Sequence, residues 1–125
     1  MKLKTKIILS MTVIVLSFAI WFIAKRTVPV EASIYDDFAQ CLAHQNITMY
    51  GAEWCPACQA QKNEFKGAFK YVPYVECPQD PQKCLAAGIE AYPTWIFSSG
   101  EKIVGVQPLE TLAQKTGCAL TLTFQ

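Results

Sequence analysis

Met49-Tyr50-Gly51-Ala52-Glu53-Trp54-Cys55-Pro56-Ala57-Cys58 is the segment on which the reading of this chain turns. Ile47-Thr48-Met49-Tyr50 is a short run suited to a buried strand, and Gly51 closes it. Pro56 suits the first position of a helix, where its missing N–H costs no hydrogen bond. Phe65 and Phe69 lie four apart and extend an apolar helical face to about Phe69. Cys55 then occupies the cap, where free backbone N–H groups and the helix dipole favour thiolate over thiol. The thiolate is the nucleophile in disulfide exchange. Cys58 stands one turn further on, on the same face, placed to attack a mixed disulfide at Cys55.

Other chemistries compete for these thiols. A permanent disulfide is one, but a fixed clip does not need the Trp-Cys-Pro helix opening. A Cys₄ zinc set of Cys55, Cys58, Cys77 and Cys84 is another, although its second pair is spaced C-x₆-C, wider than usual zinc knuckles. A metal-binding or metal-delivery module is therefore the alternative reading.

Outward from this segment the chain alternates between elements. Ser33 is a candidate N-cap, with Asp36 and Asp37 in the favourable first turn. Ile34, Phe38, Cys41 and Leu42 fall on one helical face, and the helix should end near His44–Asn46. Tyr71 to Glu76 reads as a strand whose start Pro73 pushes later or to an edge. A short helix from Pro81 to Ala87 ends at Gly88. Thr94 to Phe97 is a third strand, Ser99-Gly100 a turn, and Lys102-Ile103-Val104 a fourth, antiparallel strand. Leu109, Leu112 and Ala113 mark a last helix ended at Gly117. This order implies an α/β fold, a mixed central sheet with helices on both faces.

The N-terminus has a different composition. Ile7 to Ala24 is 18 residues without a charge, a helix of about 27 Å and close to the hydrocarbon thickness of a bilayer. Five basic residues and no acid lie in the first 26; the rest carries six basic against ten acidic residues, near −4. The expected organisation is a membrane anchor over 1–26, a linker over 27–33 and a folded domain over 34–125. A cleaved signal peptide, with Val30-Glu31-Ala32 near the cut, is the competing account. The basic flanks lean towards an extracytoplasmic body. Six cysteines, all in the body, fit an oxidising compartment. A net charge of +1 gives no general attraction to nucleic acid.

Gly51-Ala52-Glu53-Trp54-Cys55-Pro56-Ala57-Cys58, with Ala91-Tyr92-Pro93-Thr94-Trp95 downstream, resembles the thioredoxin superfamily. More closely, the chain is similar to the thioredoxin-like domain fused to bacterial vitamin K epoxide reductase homologues. The shared stretches are Met49 to Ala52, Tyr71 to Cys77, Tyr92 to Trp95 and Gly105-Val106-Gln107, within about residues 36–120. The reductase domain itself is not expected here, since one span cannot make its helix bundle. The resemblance implies a thioredoxin-like fold and a thiol–disulfide oxidoreductase needing no cofactor or metal. It implies a cis bond before Pro93, which faces the cysteines. Its implied partners are thiols and disulfides of exported proteins, and a membrane vitamin K epoxide reductase homologue. Two features depart from the family. Thioredoxins carry a buried Asp six residues before the first cysteine, where this chain has Met49. The dipeptide Pro56-Ala57 lacks the His of strongly oxidising relatives, and no nearby cation replaces it, so a moderate lowering of the Cys55 pKa is expected.

The remaining candidates divide between structure and function. A Cys77–Cys84 disulfide would clip its loop with about 2.5 kcal/mol of loop entropy; the relatives' similar second pair favours this clip over a redox relay. Cys41 is either a buried core thiol or a partner for Cys118. His44, the only histidine, reads as a capping or solvated residue. Trp54, Pro56, Tyr92 and Pro93 are the expected substrate-binding residues; Trp95 could join them or pack in the core.

Overall fold

The structure, a computed structural model, describes residues 2–24 and 30–120. The expected anchor residues Lys25 and Arg26, and Thr27 to Pro29 of the expected linker, lie outside them. The first helix, α1 (Lys2–Ala24), contains Lys6–Ile23, long and apolar enough to cross a membrane, with mean hydropathy 2.3.

Helix α2 runs Val30–His44, so Val30 to Ser33 of the expected linker are helical, and Ser33 lies inside the helix instead of capping it. Then follow β1 (Thr48–Gly51), α3 (Pro56–Glu64), a 3₁₀ turn (Ala68–Tyr71), β2 (Tyr74–Glu76), α4 (Pro81–Ala86), β3 (Thr94–Ile96), β4 (Lys102–Val104) and α5 (Leu109–Thr116). The expected extension of α3 to Phe69 does not occur. Lys66 at φ 49° and Gly67 at φ 92° break the helical path, and Phe69 and Tyr71 enter the 3₁₀ turn instead. Tyr71 is consequently not strand, and β2 starts after Pro73. The short helices are closed locally. Asp80 accepts the Lys83 N–H at the start of α4, with Pro81 at the first position. Gly117, at φ 72°, ends α5 in the left-handed conformation.

The strand order is β2-β1-β3-β4, with β1 and β2 parallel and the other two pairings antiparallel. Strand alternation sends successive residues to opposite faces. Met49 and its cross-strand partner Trp95 join Phe38 and Leu42 of α2, Phe65 beyond α3, and Leu109 and Leu112 of α5 in the main core. Phe65 stacks between Phe38 and Trp95, with ring centroids 6.0 and 6.2 Å away. Tyr50 and its partner Val75 pack in a second cluster with Cys77, Ile89 and Cys84 of α4. Helices thus cover both faces, as the order of elements implied.

Two disulfides brace this frame. Cys77–Cys84 ties the end of β2 to α4, and Cys41–Cys118 ties α2 to the second residue past α5. The free-core alternative for Cys41 is therefore set aside.

Candidate active site

Cys55 and Cys58 are the two free cysteines among the described residues. Their positions follow from the strand–turn–helix path. After β1, the Cys55 N–H donates to the Ala52 carbonyl, and Cys55 with extended backbone becomes the cap of α3. Its Sγ then accepts the Cys58 N–H at 3.4 Å. Burial pushes the Cys55 thiol up, but hydrogen bonds from the Cys58 side chain, the Cys58 N–H and the Ala57 N–H more than offset this, leaving it below the ordinary value. Cys58 goes the other way. It is fully buried, and desolvation, with the nearby Cys55, pushes its thiol up to about 11. The pair is asymmetric: Cys55 at the cap is 7% exposed with its thiol held low, and Cys58 one turn behind it is fully buried with its thiol held high.

The residues expected to meet substrate separate by exposure. Trp54 is 72% exposed and stands edge-on to the Tyr92 ring at 6.2 Å. Pro56 is exposed at the first position of α3. Tyr92 is half-buried, and its carbonyl lies 4.0 Å from Cys55 Sγ. The Tyr92–Pro93 bond is cis, and the Pro93 side chain is fully buried. Trp95 belongs to the core, where its indole N–H donates to Gln61 Oε1 at 3.2 Å. Cys77 and Cys84 are joined to each other, so the Cys₄ zinc set does not assemble. Among the described residues no group of three or more His, Cys, Asp or Glu side chains is placed to hold a metal. His44 ends α2.

Several residues at the site are not singled out by the sequence. Gln61, fully buried, accepts from Trp95 and the Gln107 N–H and donates to the Gln107 carbonyl, fixing the loop before α5 against α3. Gly51 matters for space, since a Cβ there would sit 2.7 Å from Cys58 Sγ and 3.2 Å from Tyr74 Oη. Lys62, on α3, places its Nζ 3.9 Å from the Tyr74 ring centroid and favours the Cys58 thiolate. No cation contributes to the lowering at Cys55; the Lys62 charge acts on Cys58 instead, as the smallest of the influences there. Tyr74 donates to Glu76 Oε2 at 2.6 Å, and Glu76 Oε1 accepts the Glu53 N–H at 2.9 Å. Their spacing of two on a strand is the only available signal, and it carries no information about the neighbour across the sheet.

A mixed four-stranded sheet in the order β2-β1-β3-β4, a C-x-x-C pair opening the helix after β1 and a cis-proline before β3 define a thioredoxin-like fold. The chain is 41% identical to the thiol-disulfide oxidoreductase LTO1 of Arabidopsis thaliana, an alignment covering 58% of this chain and 21% of that protein. The chain thus spans about a fifth of the length of this curated relative. Among solved structures it is similar to a mutant thioredoxin of Halobacterium salinarum, at 21% identity and TM-score 0.49, covering 62% of this chain and 76% of that one. The thioredoxin of Malassezia sympodialis is 28% identical at TM-score 0.43, covering 58% and 72%. No family model matches the chain.

Proposed function

We propose that this protein is a thiol–disulfide oxidoreductase held at a membrane by α1, with Cys55 attacking and Cys58 resolving. The observation that carries the proposal is the sorting of the thiols. Cys41–Cys118 and Cys77–Cys84 are closed, while Cys55 and Cys58 are free at a helix N-terminus that favours the Cys55 thiolate. In the reducing direction the Cys55 thiolate attacks a substrate disulfide, forming a mixed disulfide and releasing one substrate thiolate. Cys58 then loses its proton and attacks Cys55 Sγ. The Cys55–Cys58 disulfide forms, and the second substrate thiolate leaves. The oxidising direction runs the same steps backwards. Trp54, Pro56 and the Tyr92–Pro93 backbone border Cys55 and are the surface an extended substrate would meet.

The substrates are thiols and disulfides of exported proteins, and the body faces the extracytoplasmic side. Two disulfides in a body of this size support an oxidising compartment, and the basic start of the chain supports this orientation. The likeness to domains fused to vitamin K epoxide reductase homologues motivates a partner. A separate membrane homologue of that reductase would take electrons from Cys55–Cys58, tethering in one membrane supplying the effective concentration that fusion gives elsewhere. Cys58→Ala removes the resolving thiol and should trap Cys55 in mixed disulfides, read by non-reducing gels and mass spectrometry. Adducts with both exported proteins and such a reductase are expected. Capture of soluble exported proteins alone, in a cell that contains the reductase, would refute the partner; no adducts at all would refute the activity.

A further inference from the structure

The resolving thiol presents a chemical difficulty. Cys58 must lose a proton before it attacks, yet it is fully buried and its thiol is held high. Buried side chains that could take the proton are scarce. At Met49, on the strand beneath the pair, nothing titrates. Among the described residues a hydrogen-bonded pair, Tyr74 and Glu76, runs along β2, and its phenol shares with Cys58 the space above Gly51.

Parallel pairing sets Tyr74 beside Met49 and Glu76 beside Gly51, so Tyr74 and Glu76 share one face of β2. Cys58 Sγ and Tyr74 Oη both crowd the point above Gly51 where a Cβ would stand, at 2.7 and 3.2 Å. The missing side chain leaves room for both the thiol and the phenol at this point. The phenol donates its own hydrogen to Glu76 Oε2 at 2.6 Å, which leaves its oxygen lone pairs free to accept. Glu76 uses both oxygens as acceptors, the second for the Glu53 N–H, as the ionised carboxylate does. Glu76 is half-buried and lines a shallow surface pocket with Gln79, Asp80 and Lys83, so a proton reaching it has a path to water. The charged or titratable groups around the route are Cys55, Lys62 over the Tyr74 ring, Asp80 and Lys83.

We infer that Tyr74 and Glu76 form a proton relay for Cys58, Tyr74 passing the thiol proton on and Glu76 receiving it. The inference rests on the oxidoreductase reading above and names how its second step is driven. As Cys58 Sγ closes on Cys55 Sγ in the mixed disulfide, the Cys58 proton moves to Tyr74 Oη, and the phenolic proton moves to Glu76 Oε2. The Cys55–substrate bond breaks, and the substrate sulfur leaves with the electron pair. The net result is one new protein disulfide, one substrate thiolate and a protonated Glu76, which returns its proton to water. Tyr74 ends each cycle unchanged. The reverse, oxidising direction delivers a proton to Cys58 by the same route.

The two chemical steps can be separated with dithiobis(nitrobenzoate) and the reduced full-length chain in detergent. Attack by Cys55 releases one nitrothiobenzoate, and resolution by Cys58 releases the second, so stopped-flow absorbance gives two phases. Tyr74→Phe keeps the ring that packs against Phe69 and Lys62. It should slow the second phase by about a hundredfold or more, the lower end for loss of general-base help, and leave the first phase unchanged. Glu76→Gln should do the same. The discriminating readout is the pH profile of the second phase. In the wild type it should be nearly flat above neutrality. In both variants it should rise about tenfold per pH unit, because hydroxide becomes the base. A loss of rate with the wild-type profile retained would assign Tyr74 and Glu76 a purely structural part and overturn the relay, as would an unaltered second phase. Absence of the first phase from the wild type would instead overturn the oxidoreductase reading.

Discussion

Gly51→Ala is a perturbation whose size can be worked from the structure. The new methyl carbon would lie 2.7 Å from Cys58 Sγ, with Tyr74 Oη and Cε2 at 3.2 and 3.3 Å. Optimal non-bonded contacts lie at about 3.5–4.0 Å, so the sulfur must retreat by roughly an ångström. Gly51 and Cys58 are both buried, which leaves little room for this. Overpacking of this kind costs about 1–3 kcal/mol. The substitution also stiffens the unfolded chain, offsetting about 0.4–1 kcal/mol. The expected net loss is about 1–2 kcal/mol, or roughly 4–15 °C in Tm for a body of this size. Thermal unfolding of the reduced protein followed by circular dichroism measures it. The cause is isolated by repeating the substitution in a Cys58→Ala background, where the closest clash partner is gone and the loss should shrink by half or more. Equal losses in both backgrounds, or no loss in the first, would refute the steric account of Gly51.

Gln61→Leu leaves the Trp95 indole N–H and the Gln107 N–H and carbonyl without their partner, and should cost at least about 2 kcal/mol by urea denaturation. Removing Cys41–Cys118 by double alanine substitution should cost more than removing Cys77–Cys84. With sequence separations of 77 and 7, the loop-entropy model gives about 4.5 against 2.5 kcal/mol, and denaturation midpoints of the two variants test the order. With alkylation mapped by mass spectrometry, Cys55 should react first at neutral pH; Cys58, pushed up to about 11, is thiolate in only about one molecule in ten thousand at pH 7. That raised value also sets a sign. The reduced fold holds protons on Cys58 that the unfolded chain releases, so its stability should be intact below about pH 9 and fall as pH rises towards 11.

The legible parts of the sequence are those governed by local rules. Pro56 after Cys55 opens a helix, Pro81 after Asp80 another, and Gly117 closes the last. The apolar run Ile47 to Tyr50 and the turn at Ser99-Gly100 locate strands to within a residue or two. The failures come where the chain's local signal is ambiguous or the determinant lies elsewhere. Phe65 and Phe69 have helical spacing, but Phe65 caps the end of α3 and Phe69 reaches the core across a break at Lys66-Gly67 and a 3₁₀ turn. Ser33 has the chemistry of a cap, yet the helix starts before it. At the site, Cys55 and Cys58 are readable because their roles depend on one helix end. Gly51 reads as a strand terminator, and its spatial role emerges only with α3 folded over it. Tyr74 and Glu76 come to the site through parallel pairing with β1, a long-range contact that no periodicity encodes.

The account stands most directly on the redox behaviour of individual cysteines. The full-length protein can be equilibrated in graded dithiothreitol or glutathione buffers, quenched with acid and alkylated, and each cysteine's state read by mass spectrometry. The account predicts that Cys55 and Cys58 titrate together as one two-electron couple, with a potential between about −270 and −120 mV. Cys41–Cys118 and Cys77–Cys84 should stay closed across that range. A Cys55–Cys58 pair that never forms a disulfide, or that opens only together with the other two, would contradict it.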